Sequence, residues 1–167
     1  MNQTIQQQRA AYAMKRVLAA AEDKEIHSEY KSYASSLPAM IHTNGLGQAV
    51  AFFRSKSAFD KAEDKRNKKE KAYWLLYLTL SDWLCTQETN TKKTINSQKS
   101  KPFKNEEMPR QPYSDCDDLL EGITTKNMHH YRLAQAEAQM LMDWVKKFAK
   151  AYMTDETSAQ KSEGQTT

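Results

Sequence analysis

Apolar residues along this chain recur at helical spacing, and the turn residues that would punctuate a sheet are scarce. Ala10, Met14, Val17, Leu18 and Ala21 follow i, i+4, i+7, i+8, i+11, with Arg9, Lys15 and Arg16 off that stripe. This spacing predicts an amphipathic helix from about Thr4 to Ala21. A second helix, about Lys24 to Ser36, carries Ile26, Tyr30, Tyr33 and Leu37 on one side. Pro38 is read as the first turn of a new short helix, because proline disrupts a helix interior. Asn44 and Gly45 end that turn, as a left-handed helix terminus would. Leu46, Ala49, Val50 and Phe53 predict a third helix.

After the alternating charges of Asp60 to Lys71, a helix over about Asn67 to Thr86 places Tyr73, Leu76, Tyr77, Leu80 and Leu84 on one face. Trp74, Leu75 and Trp83 extend its apolar surface round the cylinder, the mark of a central helix. The stretch 87–113 is rich in Lys, Thr, Asn and Gln and contains Pro102, Pro109 and Pro112. It is expected to be a flexible insertion loop, since it lacks the apolar area to offset its ordering entropy. A short acidic helix, Asp115 to Glu121, is expected to start from Ser114 as N-cap. The last helix, about Lys126 to Met153, keeps a heptad-like spacing through Ala134, Ala138, Leu141, Val145, Phe148 and Tyr152. The reading is all-α: a single compact bundle of about five to six helices over 1–153, a mobile loop before the last two, and a disordered tail over 154–167.

Length and charge fit that reading. A chain of 167 residues makes one domain with a proper core, and a formal net charge of +4 allows a nucleic-acid partner without demanding one. The two cysteines, Cys85 and Cys116, form no CxxC pair, so neither a disulfide framework nor a zinc site of the usual spacing is expected. The polar start, Met1 to Gln8, is no signal peptide, and the most apolar run, Ala72 to Leu80, is too short to span a bilayer. A cytoplasmic protein is expected.

Catalytic chemistry finds little support. No glutamate stands three residues before any of the four histidines, His27, His42, His129 and His130, as a dinuclear carboxylate site in a bundle would require. All four are read as solvated. Asp115, Asp117, Asp118 and Glu121 lack the glycine and spacing of a calcium loop, and read instead as acids gathered at a helix N-terminus. Gly45-Leu46-Gly47 has neither the preceding strand nor the third glycine of a dinucleotide fingerprint; an exposed helix start could still meet an RNA phosphate. No Ser/His/Asp or Cys/His arrangement has a supporting motif. No catalytic residue, metal site or cofactor is assigned.

What remains is basic. Lys146, Lys147 and Lys150 lie on the last helix, and Arg9, Lys15, Arg16, Lys31, Arg54 and Lys56 on or beside the first three. Convergence of several on one face would make a phosphate-tracking surface.

The segment Leu37-Pro38-Ala39-Met40-Ile41-His42-Thr43-Asn44-Gly45-Leu46-Gly47-Gln48-Ala49-Val50-Ala51-Phe52-Phe53 closely resembles the signature of the small subunit of the Cmr complex, the type III-B CRISPR effector. Tyr131-Arg132-Leu133-Ala134, then Ala138 and Trp144-Val145-Lys146-Lys147-Phe148-Ala149, form a second similar block, and the helix ending in Asp82-Trp83-Leu84 also resembles the family. His42 departs from the pattern where a basic residue is expected, which weakens a phosphate role there near neutral pH.

The resemblance implies an all-α, non-catalytic subunit in antiviral defence. Copies of it would stack into an inner filament beside the backbone subunits, with basic faces on guide and target RNA. Cleavage of the target would belong to the backbone subunits, and cyclic oligoadenylate synthesis to the large subunit. The candidate RNA-contact set is Lys15, Arg16, Lys31, His42, Asn44, Gln48, Arg54, Lys56, Lys146, Lys147 and Lys150. The implied partners are backbone and large subunits, further copies of the chain, guide RNA and target RNA, with no membrane and no small-molecule substrate. A helical protein–protein adaptor without RNA contact, using aromatics such as Trp74, Phe52 and Trp144, is the alternative.

Overall fold

The computed structural model describes residues 3–85 and 111–154. Among them six helices follow one another: α1 (Ile5–Ala21), α2 (His27–Asn44), α3 (Leu46–Lys56), α4 (Lys68–Leu84), α5 (Leu119–Thr125) and α6 (Met128–Tyr152). Single 3₁₀ turns at Lys24–Ile26 and Glu63–Lys65 lead into α2 and α4. None of these helices is long and apolar enough to cross a membrane.

Local chemistry sets the boundaries. Thr4 caps α1 by accepting from the Gln7 N–H at 3.2 Å, and the Gln7 side chain accepts from the Thr4 N–H at 2.8 Å. Asn67 and Glu70 form the same reciprocal box at the start of α4. Asn127 accepts from His130 N–H at 3.1 Å to start α6. Each box satisfies donors that the first turn of a helix leaves without partners.

Helix α4 packs on every other helix, the central position its all-round apolar surface predicts. Helix α6 lies along α1 and α2 and buries Ala134, Ala138, Leu141, Met142, Val145 and Ala149. Across from it, α1 presents Ala13, Val17 and Ala20, and α2 presents Tyr30, Ala34, Leu37 and Ile41. The small alanines let the helix axes approach closely, and the larger residues fill the space between them.

Pro38 starts no new helix; it lies inside α2, which runs unbroken from His27 to Asn44. Tyr30, Ala34, Leu37 and Ile41 form one continuous buried stripe across the proline, and Gln139 of α6 donates to the Pro38 carbonyl at 3.1 Å. Burial of that stripe outweighs the lost helical hydrogen bond. Gly45 has the expected positive φ, +84°, but its ψ of 159° is extended rather than left-handed helical.

The acidic segment also differs from expectation. The short helix starts later than expected, at Leu119 rather than Asp115; a turn closed by Cys116 N–H donating to Tyr113 O precedes α5, and Asp118 stands at its N-cap. Asp115 pairs with Lys126 and Asp118 with Arg54, so both carboxylates serve as ion-pair partners. Of the segment 87–113 expected to be a loop, 87–110 lies outside the described residues. Its end is anchored: Tyr113 N–H donates to Leu84 O at 3.0 Å, and the Tyr113 ring is fully buried. A Cβ on Gly122 would come within 2.5 Å of that ring, so a glycine is required there. The tail expected over 154–167 lies outside the described residues beyond Thr154.

Candidate nucleic-acid interface

The arginines of the basic set turn inward. Arg9 is only 6 % exposed and grips Glu137 of α6 through Nε at 2.6 Å and Nη2 at 2.8 Å. Trp83 Nε1 of α4 donates to the same carboxylate at 2.8 Å, so one glutamate ties three helices together. Arg16 pairs with Asp82 and donates from Nε to Tyr12 Oη at 3.1 Å. Arg54 Nη1 donates to Asp118 Oδ1 at 2.9 Å and Tyr77 Oη at 3.1 Å, and its guanidinium lies 3.9 Å from the Phe59 ring centroid. The Tyr77 hydroxyl donates to Asp118 Oδ1 at 2.6 Å; burial, then that carboxylate, pushes the phenol well above its ordinary pKa. A planar guanidinium can hold a carboxylate and lie on a ring at once, and here that capacity is used within the fold. Arg16 and Arg54 therefore already have carboxylate and ring partners within the fold.

The corner between α2 and α3 is closed in a similar way. Leu46 N–H donates to Gln135 Oε1 at 2.9 Å and Gly47 N–H to Tyr131 Oη at 3.1 Å, both from α6. Two of the donors that could have met a phosphate at the start of α3 therefore have partners inside the protein. A Cβ on Gly45 would sit 2.9 Å from Tyr131 Oη, and one on Gly47 would sit 3.2 Å from Ile123 Cγ2. The glycines thus let α6 approach the backbone. His42, Asn44 and Gln48 lie exposed around the corner. Tyr131 and Gln135 are absent from the candidate set; the available signal was a pair of long polar side chains one turn apart on α6.

Lys15 is exposed on α1 and Lys31 half-buried on α2, and each has an interaction within the protein. Lys56 is exposed at the end of α3, its Nζ 5.7 Å from the Phe52 centroid. Lys146, Lys147 and Lys150 are the candidates that the structure brings together, on adjacent turns of α6. Lys147 and Lys150 are exposed and Lys146 half-buried, and no ion pair joins them to a described carboxylate.

Beside these lysines runs a column of rings. Trp144 and Phe148 stack with centroids 5.5 Å apart and planes at 24°, and Phe148 lies 6.4 Å from Tyr152. Lys147 Nζ is 5.7 Å from the Trp144 centroid, and Trp144 Nε1 donates to Gln6 Oε1 at 3.3 Å. Phe148 and Tyr152 continue the heptad spacing, but Tyr152 is 44 % exposed although Ala149 and Met153 on either side of it are buried in the core.

The histidines need one correction. His27 is buried, with Nε2 2.8 Å from Ala21 O and Nδ1 3.3 Å from the Thr154 backbone nitrogen. It therefore ties the end of α6 to the start of α2. His129 and His130 point apart, their rings 6.2 Å distant at 82°. Among the described residues no group of three or more His, Cys, Asp or Glu could hold a metal ion.

The family model described as CRISPR-associated protein (Cas_Cmr5) matches residues 5–152. That span begins at the first residue of α1 and ends at the last of α6, taking in the glycine corner, the arginine pairs and the lysines beside the ring column. The chain belongs to the Cas_Cmr5 family and is a small subunit of the type III-B Cmr complex.

Proposed function

We propose that the chain is a non-catalytic RNA-holding subunit of this complex, stacking with further copies into an inner filament in the cytoplasm and contacting guide and target RNA through the lysine face of α6. One observation carries the reading: Lys146, Lys147 and Lys150 cluster without described carboxylate partners, while Arg9, Arg16 and Arg54 are engaged inside the fold. Unpaired ammonium groups attract phosphates without reading sequence, and this contact weakens as salt rises. Sequence discrimination would come from guide–target pairing, with the protein sensing backbone and shape. Backbone subunits would cut the target and the large subunit would make the signalling nucleotide.

Exposed apolar residues favour stacking as a second role for the surface. Leu133 at 50 % and Met140 at 37 % exposure lie two turns apart on the outward side of α6, a position suited to another helical subunit. The adaptor reading would assign the whole surface to such contacts. Trp74 is less available for that role, because Arg66 lies 4.2 Å from its ring centroid.

A tagged pulldown from the native host distinguishes the readings. Recovery of repeat-derived guide RNA with the larger subunits is expected. Recovery of those subunits without RNA, at salt low enough to keep ionic contacts, would favour the adaptor.

A further inference from the structure

A surface that only follows duplex phosphates needs charge and has no use for rings. The end of α6 has both, in alternation: Trp144, Lys146, Lys147, Phe148, Lys150 and Tyr152. We infer that these last turns form a stacking column for unpaired RNA bases, open at Tyr152, with the lysines holding the phosphates of the same strand. This rests on the RNA-holding reading and narrows its ligand to single-stranded RNA.

The column is fixed before anything binds. The Trp144 indole is oriented by its bond to Gln6 and by stacking on Phe148. Tyr152 is not exposed through fraying: the next residue, Met153, is 3 % exposed and donates its N–H to Ala149 O at 3.0 Å. Thr154 N–H then reaches His27 Nδ1 at 3.3 Å. The chain is thus held on both sides of a ring that projects outward, so a base stacking there orders little that is not already ordered.

Phe52, also exposed among the described residues, differs in its setting. Phe53 and Tyr73 meet it edge to face, at 6.1 and 6.0 Å, and a single lysine, Lys56, approaches its ring. Among the described residues, the α6 column joins stacked rings to several cations that form no ion pair with a described carboxylate. Charge complementarity therefore selects a polyanion bearing flat rings over an aliphatic helical partner. Stacking accepts any base, as a subunit that does not read sequence requires.

The test uses the full chain and three labelled RNA ligands: an unstructured uridine-rich strand, the same strand made abasic, and a duplex of equal length. The abasic strand keeps the phosphates and loses the rings. It is expected to bind about tenfold more weakly than the parent strand, with the same dependence on salt. Tyr152→Ala should weaken the uridine-rich strand by a similar factor while leaving the abasic strand and duplex within about twofold, and Tyr152→Phe should restore binding.

Equal binding of the abasic and uridine-rich strands would overturn the column as a base-stacking site. So would a Tyr152→Ala variant that keeps its RNA but no longer joins the other subunits, which would assign the ring to a protein contact. If the RNA-holding reading is itself at fault, none of the three ligands binds and replacing the lysines changes nothing. That result differs from lysine-dependent binding that is blind to the bases.

Discussion

The α2–α3 corner and the C-terminal turns of α6 both began as candidate RNA contacts, and the fold treats them in opposite ways. At the corner, the Leu46 and Gly47 N–H groups are taken by Gln135 and Tyr131, and the nearby glycines make room for those side chains. At the end of α6, Lys146, Lys147 and Lys150 stand beside a ring column and form no ion pair with a described carboxylate. The most recognisable motif of the sequence is thus a clasp between α3 and α6, and the plainer basic run is the open surface. A motif's specificity measures how narrowly a position is constrained, and close packing constrains a glycine as tightly as a ligand does.

If that contrast holds, changes on the closed side should cost stability and those on the open side should cost binding. The largest effect is expected at Glu137, whose carboxylate holds Arg9 and Trp83 together. Glu137→Ala should lose about 3 kcal/mol in a denaturant melt, because it strands a nearly buried guanidinium. Gly45→Ala comes next, at about 2 kcal/mol, since its φ and ψ belong to a region open almost only to glycine. Tyr131→Phe should lose about 1 kcal/mol, one hydrogen bond to Gly47. With the hydroxyl removed, Gly45→Ala should cost less than it does in the parent, and an unchanged cost would show that the tyrosine contact adds nothing.

Acid should act on the closed side more gently. The Lys71 hydrogen bond holds Asp23 below the ordinary carboxylate pKa, as Lys126 does for Asp115 and Lys61 for Glu70. A lowered folded-state pKa gives stability that is present above the unfolded value, near 4, and lost as pH falls through the folded value. Unfolding midpoints should therefore be level above about pH 5 and drop below about pH 4. Asp23→Asn should reduce that drop while costing about 0.5 kcal/mol at neutral pH, since the pair is partly solvated and the amide can still accept from Glu25 N–H.

Much of the fold was legible because periodicity speaks directly to burial. The stripe of α6 and the central place of α4 follow from spacing and residue type. Pro38 misled because a local rule was set against a stripe whose packing lies elsewhere in the chain. The acidic segment misled because Asp115 and Asp118 have partners, Lys126 and Arg54, that no local window identifies as such. Within the basic set, linear sequence could not separate arginines that close ion pairs inside the fold from lysines that remain outside. Tyr113, at the edge of a stretch rich in polar residues, gave no periodic sign of its place in the core.

The most direct measurement compares the parent complex with one carrying Lys146→Ala, Lys147→Ala and Lys150→Ala, following target-RNA retention across a salt series. These exposed and half-buried positions should leave the melt within about 0.5 kcal/mol of the parent. Affinity should fall at low salt, and the slope of log affinity against log salt should become shallower by about 2, as expected for three lost phosphate contacts. An unchanged slope with full retention would remove the lysine face of α6 from RNA binding.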